Sequence, residues 1–364
     1  MMPSEPRITD LGEKKLIKRL LKRSRINSLF LNKFLDENSV RSTSDDAALV
    51  DLGENYVVAT SDMLMQSTHF PDEMTPHQIG EKIVTVNVSD VAAMGADTIG
   101  IIVSMGLPRN MPLSEFDELI DGVLQACKKY DMALIGGDTN ESRELTLCGT
   151  CLGLVAKDKV LMKGGAQPGD VVAVTGPLGL AAAGFEVLDR ERSVPKIRGL
   201  DPDFRALAVK HALQPEARLK EGVLLADTGV LTSATDITDG LLSEISEITD
   251  ASSGVGVTLY RKKIPVPSAV LEAGKLLDKD PFEMALSYGE DFELLLTIKK
   301  NDFKGLKDLK GLDVYEIGFV DSSGIIQIVD KDGKTDVVTT EGYEHLKRSS
   351  TSRSRGPNSE RKPA

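Results

Sequence analysis

The chain reads as a mixed α/β (α+β) protein in two domains, and three observations predict it. Strand-like and helix-like patterns alternate in both halves. The 364 residues exceed what one hydrophobic core usually serves. Near the middle, the Gly/Pro-rich stretch "KGGAQPGD" (163–170) interrupts the pattern as a junction does. The expected division is residues 1–160, residues 161–347, and a tail over 348–364.

Composition narrows the class. Apolar residues at 41% and charged residues at 27% fit a soluble globular chain rather than a disordered one. No apolar run approaches the roughly 18 residues a membrane helix needs, and the charged amino terminus lacks a signal-peptide core. Three cysteines give no disulfide framework, so a cytoplasmic location is expected. A net charge of −12 argues against nucleic acid as a general partner.

Taken in order, Leu11, Leu16, Leu20 and Leu21 give the first segment an apolar side opposite its lysines and arginines, an amphipathic helix. A polar segment with "STSDDAALVDLG" precedes the strand "YVVATSD". Residues 75–95 form the clearest helix: Thr75 and Gln78 make a capping box, Pro76 suits the first turn, and Gly95 suits the stop. The strand "TIGIIVSMGL", a helix from Leu113 to Lys129, and the strands "MALIGGD" and "ELTLCGTCLGLVA" complete the first half. The second half opens on the strand "VVAVTG" and the helix "PLGLAAAGFEVL". Helical patterns run to about Asp227. The strand "VLTSATDI", a helix from Asp239 to Thr249, and the strands "DFELLLTI", "DVYEIGFV" and "GIIQIVD" follow. From Lys347 the chain is basic and almost free of apolar residues, the composition of a disordered tail.

Within the capped helix one residue is out of place. Ile79, Ile83, Val86 and Ala93 form its apolar face, and at about 100° per residue Asp90 falls within about 20° of Ile79. Other aspartates recur where an apolar element meets a turn: Asp45-Asp46, Asp62, Asp138, and Asp236 with Asp239. Strand ends of this kind gather into a common crevice in mixed α/β folds. Any one of these residues also suits a helix cap or a turn. Together, carboxylates converging in a partly buried site repel one another unless neutralised. Lys and Arg are scarce around them in sequence, so cations from solution are expected. Oxygen ligands at short turns suit Mg²⁺ completed by a phosphate substrate.

Glycine-rich "IGGDT" and "TGPLGLAAAG" offer backbone N–H groups to an anion. Neither is a P-loop, and no dinucleotide fingerprint or protein-kinase motif is present. The lone CxxC of Cys148 and Cys151 lies in a strand, where an offset of three turns the side chains to opposite faces, against a zinc or redox site. Cys127 reads as helix core. His69 lies beside the Asp62 loop, while His77 and His211 read as surface.

Laid in order, "LGEKKLIKRL", "DDAAL", "ATSDMLMQSTHF", "VNVSDVAAMGAD", "LIGGDTN", "KGGAQPGD", "DITDGL", "YGEDFELL" and "EGYEHL" resemble the thiamine-monophosphate kinases, in the superfamily of the aminoimidazole ribonucleotide synthetases. The match spans about Leu11 to Leu346. It implies that superfamily's two-domain fold, with an amino-terminal ATP- and metal-binding domain forming the core of a homodimer and a carboxy-terminal α/β domain closing the site. It implies ATP as co-substrate, several Mg²⁺ ions, and direct in-line phosphorylation of thiamine monophosphate, with neither nucleic acid nor membrane as partner. Asp46, Thr60, Ser61, Asp62, Asp90, Asp138, Asp236 and Asp239 fall on metal positions, with Asp90, Asp236 and Asp239 expected at the catalytic centre. Gly137, Asp138, Lys163 and Thr238 fall on nucleotide positions, and His69, Glu290 and Tyr343 on substrate positions. Two departures stand out. Ser44 replaces a common glycine, and Lys163 replaces a common arginine, keeping the charge but losing the planar fork.

Rival readings within the superfamily are an aminoimidazole ribonucleotide synthetase, a hydrogenase-maturation dehydratase or a selenophosphate synthetase. The last normally has a reactive residue near its amino terminus, whereas the first cysteine here is Cys127. A non-catalytic nucleotide-binding regulator is the reading from another class, and loss of metal aspartates would mark it.

Overall fold

A computed structural model of the protein describes residue 16 and residues 40–41, 45–191, 193–307 and 309–338. The expected first helix, Ser44, Tyr343 and the basic tail lie outside the described residues, apart from helical Leu16. The first sheet takes β1 (Val40–Arg41), β2 (Ala48–Asp51), β3 (Asn55–Met65), β4 (Asp97–Pro108), β5 (Ala133–Ser142) and β6 (Thr146–Ala156), in the order β1-β2-β3-β6-β4-β5. Only β4 and β5 run parallel. From residue 40 onward, the described helices of this half are the short α1 (Gln66–His69), then α2 (Pro76–Ala93) and α3 (Leu113–Lys129).

The capping box of α2 forms as expected: Thr75 Oγ1 accepts from the Gln78 N–H at 3.3 Å, and the Gln78 side chain accepts from the Thr75 N–H at 2.9 Å. Helices α2 and α3 cross so closely that a Cβ on Gly80 would lie 2.1 Å from the Leu119 carbonyl oxygen, and only glycine permits that approach.

The second half carries β7 (Val171–Val174), β8 (Leu231–Asp236), β9 (Gly256–Tyr260), β10 (Leu294–Ile298), β11 (Tyr315–Asp321), β12 (Ile326–Val329) and β13 (Thr335–Val337). Their order is β13-β12-β9-β11-β7-β10-β8. Strand β7 is central, and all four of its residues are buried, as a strand covered on both faces should be. Helices α4 (Leu180–Arg190), α5 (Pro202–Leu213), α6 (Leu219–Thr228), α7 (Leu241–Ala251), α8 (Ser268–Leu277), α9 (Pro281–Ser287) and α10 (Phe303–Lys307) accompany this sheet. No helix among the described residues is long and apolar enough to cross a membrane.

Helix α2 positions the site because both halves cover it. Beyond β3, β4 and β6 of the first sheet it also packs against α6 and β8. Its buried residues therefore go all the way round, and include Lys82, Thr85, Asn87 and Ser89 beside the expected apolar stripe. The side of α2 turned away from the first sheet is therefore covered as well.

Four strands, β2, β9, β13 and β5, differ from the expectation. "AALVD" contains β2, too short for its alternation to stand out from the polar segment. Strand β9, five residues behind a Ser-Gly turn, and three-residue β13 escape the pattern reading altogether. The "ALIGGD" strand, read as buried, is the edge strand β5, exposed along nearly its whole length.

Candidate active site at helix α2

Alternation along β3 turns Thr60, Asp62 and Leu64 toward α2, and Ser61 and Met63 to the opposite, open face. The Thr60 hydroxyl donates to the Asp90 carboxylate in a short hydrogen bond. The Asp62 N–H donates to Asn87 Oδ1 at 3.3 Å. One residue round the helix, the Ser89 hydroxyl donates to Asp236 at the end of β8. Asp46 Oδ1 accepts from Thr235 Oγ1 at 2.9 Å and meets Lys163 Nζ at 2.8 Å. Lys163 Nζ also meets Glu247 on α7 at 2.6 Å, while its N–H donates to the Asp45 carboxylate at 3.1 and 3.2 Å. Asp239 joins from the turn after β8, its N–H donating to Glu244 Oε1 at 3.1 Å.

Desolvation dominates the electrostatics. It raises Asp62 to about 6. With Asp46 adding to it, desolvation raises Asp236 to about 8. Asp90 stands well above the usual carboxylate range, first by desolvation and then through Asp62, Asp236 and Asp46. Glu244 is raised too, by desolvation and then by Glu247. Burial works against the Lys163 ammonium, yet Asp46, Glu247 and Glu244 outweigh it and hold its pKa above the ordinary value. The surroundings of these acids thus oppose their charge, and one lysine does not neutralise them all.

The donor set fits a hard cation. Every group is an oxygen donor, and Asp46 Oδ2 is buried with no hydrogen-bond partner. Among the described residues no three carboxylates stand together as a ready chelate. Mg²⁺ commonly keeps waters and substrate phosphates as its remaining ligands.

Asp46, Thr60, Asp62, Asp90 and Asp236 are thus brought together, with Asp239 beside Glu244 at their margin. The expectation that basic residues stay away is corrected: Lys163 reaches Asp46 across a long loop, a closure that local sequence does not reveal. Ser61 turns its hydroxyl away, donating to the Gly149 carbonyl at 2.9 Å, so only its backbone faces the cluster. Gly137 pairs with Val103, and Asp138 with Ser104, on the far side of β4 and β6 from β3. Three strand spacings, about 14 Å, therefore separate Asp138 from Asp62. Of the CxxC pair, Cys148 lies 3.6 Å from the Ser61 hydroxyl and Cys151 is buried, its thiol pushed up to about 12 by burial. Cys127 is helix core, as expected.

A second constellation adjoins the first. Glu290 meets Lys82 Nζ at 2.7 Å, and the same ammonium donates to the His69 carbonyl at 3.1 Å. His69 Nδ1 accepts from the Met65 N–H at 3.0 Å, which puts the proton of a neutral ring on Nε2. Glu290 also lines a small cleft of about 70 Å³ together with Lys210, His211 and Arg218. Arg218 grips Glu293 with Nε at 2.7 Å and a second nitrogen at 2.5 Å, a two-point fork. Lys82, Ser89, Glu244, Glu247 and Arg218 were not singled out from the sequence. Lys82 was findable: it lies three residues after Ile79 and four before Val86, inside the same stripe that exposed Asp90.

Beside Glu290, burial raises Asp291 to about 8, partly offset by N–H groups of Gly179 and Ala181. A carboxyl raised on folding contributes stability below its unfolded value, near 4, and loses it as pH rises toward 8. Urea unfolding at pH 5, 6, 7 and 8 should show Asp291→Asn gaining on the parent at each step, by at most about 1.4 kcal/mol per pH unit. A constant difference would remove Asp291 as the source.

Two family profiles match the chain: AIR synthase related protein, N-terminal domain, over residues 44–155, and its C-terminal domain over residues 167–331. A thiamine-monophosphate kinase of Pyrococcus horikoshii is 35% identical over 321 residues, 88% of this chain and 96% of the relative. One of Methanocaldococcus jannaschii is 34% identical over 302 residues, 80% of this chain and 90% of the relative. Among solved structures, AaThiL complexed with AMPPCP and TMP superposes with a TM-score of 0.80 at 28% identity, covering 94% of this chain and all of that one.

Proposed function

Because the chain belongs to the thiamine-monophosphate kinase family of AIR synthase related proteins, we propose that it transfers the γ-phosphoryl group of ATP to thiamine monophosphate, giving thiamine diphosphate. The observation that carries this reading is the desolvated, mutually repelling set of acids around α2, with one orphaned carboxylate oxygen on Asp46.

The acceptor is a phosphate monoester, already anionic and nucleophilic near neutral pH, so the protein has no need of a strong general base. Its task is to hold two anionic phosphates in line. Asp46, Thr60, Ser61, Asp62, Asp90, Asp138, Asp236 and Asp239 are the proposed holders of Mg²⁺, with Asp90, Asp236 and Asp239 at the centre and Ser61 acting through its backbone. Bound there, magnesium would supply the positive charge that lets the two phosphates approach. Gly137, Asp138, Lys163 and Thr238 are assigned to the nucleotide; Lys163 reaches a phosphate by releasing Asp46. His69, Glu290 and Tyr343 are assigned to thiamine monophosphate. Incubation with ATP, Mg²⁺ and thiamine monophosphate, followed by chromatography for thiamine diphosphate, tests the activity. Labelled phosphate trapped covalently on the protein would refute direct transfer.

We divide the chain near residue 160, which separates the two sheets and the two matched regions. The first half is assigned to a homodimer. Met63, Ile102, Ile135 and Leu154 are exposed on its sheet, and β5 is an open edge, an apolar surface that a second copy would cover. Such an interface is also the route by which Asp138 enters the metal set. The protein should sediment at twice the chain mass, and Ile135→Lys should yield monomers with little activity; a monomeric, active parent would overturn the assignment. Cys127, Cys148 and Cys151 are all free, which favours a reducing cytoplasm.

A further inference from the structure

Lys82 is a fully buried ammonium in a helix core, 1% exposed, and neither the metal cluster nor the nucleotide residues use it. A buried charge is tolerated only when it is paired and hydrogen-bonded, and methionine would fill the same space without that demand. The partners of the ammonium therefore indicate its role. It bonds to Glu290 Oε2 at 2.7 Å and to the carbonyl of His69 at 3.1 Å, two residues 221 positions apart in sequence. Its Nζ also lies 5.6 Å from the Phe185 ring centroid, and that ring stacks on Tyr288 at 6.2 Å.

We propose that Lys82 is a positioning residue for thiamine monophosphate: from α2 it locks the Glu290 carboxylate and the His69 segment into one fixed wall of the substrate site. Geometry sets the requirement. Glu290 sits in a turn with φ of +66°, and Phe292 two residues on has φ of +50°, backbone conformations that non-glycine residues disfavour and that persist only where their surroundings hold them. Fixing one oxygen of Glu290 to Lys82 holds its side chain in one rotamer, at a residue that borders the cleft. A long, rigidly buried lysine reaches both segments where a surface residue would not.

This inference rests on the substrate assignment above, and its test separates the two. Steady-state kinetics with Lys82→Met should raise KM for thiamine monophosphate roughly ten- to a hundredfold, the value of a charge-assisted hydrogen bond. KM for ATP should stay within about twofold, because the nucleotide residues do not touch Lys82. In a Glu290→Ala background, Lys82→Met should raise that KM by much less than it does in the parent, because only the His69 contact remains to be lost. An unchanged KM for thiamine monophosphate, or an equal rise for both substrates, would overturn the proposal. Should the methionine variant fail to fold, Lys82→Gln is read by the same criteria; failure of both to fold would make Lys82 a stabilising residue instead. Absence of turnover in the parent protein would instead remove the kinase reading, and the substrate named here with it.

Discussion

Asp90→Asn should give a folded protein that has lost at least about a thousandfold in turnover, without loss of thermal stability. The two halves of that expectation come from one fact. Asp90 is desolvated and faces Asp62, Asp236 and Asp46, so its charge is a cost to the fold in the absence of a cation. An amide keeps the size and still accepts from the Thr60 hydroxyl, while removing the repulsion. Tm should hold or rise by a few degrees. Turnover depends on the same charge in the opposite sense. If Asp90 helps to hold magnesium against the phosphates, its loss removes several kcal/mol from the transition state, and every 1.4 kcal/mol is a factor of ten. Parallel melting curves and steady-state rates decide it. Parent-like turnover would remove Asp90 from the site, and a large drop in Tm would make its role structural.

Gly289→Ala should be among the most damaging of the glycine-to-alanine changes at the described residues. A Cβ at this position would stand 1.8 Å from the Thr238 carbonyl oxygen and 2.7 Å from its carbon, both main-chain atoms. That carbonyl accepts the Glu290 N–H at 2.9 Å, and the Ile237 carbonyl accepts the Phe292 N–H at 3.0 Å. The turn cannot retreat without breaking both bonds and moving Glu290 away from Lys82. A loss of about 3 kcal/mol is expected by urea unfolding, at the upper end for a point substitution. It should come with a higher KM for thiamine monophosphate, since Glu290 moves with the turn. A loss below about 1 kcal/mol would mean that the turn has slack.

The capping box of α2 and the aspartate on its apolar face were readable because helical periodicity is local. Asp236 was readable as a strand-end carboxylate, since an apolar strand delivers its last polar residue to the rim of a sheet; Asp62 was noticed by the same pattern, yet β3 runs on to Met65 and Asp62 lies within it, and Asp46 stands in the bend before β2. Asp138 has the same local pattern, yet β5 is an edge, and being an edge is a property of sheet order that no window of sequence contains. Lys163 was assigned by its match to a family position, but its bond to Asp46 depends on the junction folding back. Glu244 and Glu247 gave no local signal, because their place in the site depends on Lys163 of the junction and on the turn after β8.

The placement of α2 between the two sheets also bears on how the protein is made. Ser89 and its partner Asp236 are 147 residues apart, and at about 5–20 residues per second the ribosome needs roughly 7–30 s to deliver the second after the first. During that interval the nascent chain carries a helix whose inner side has no second wall, and the acids beside it remain hydrated and ionised. Chaperone dependence of this chain should therefore concentrate in the middle of translation, ending only when the later strands emerge.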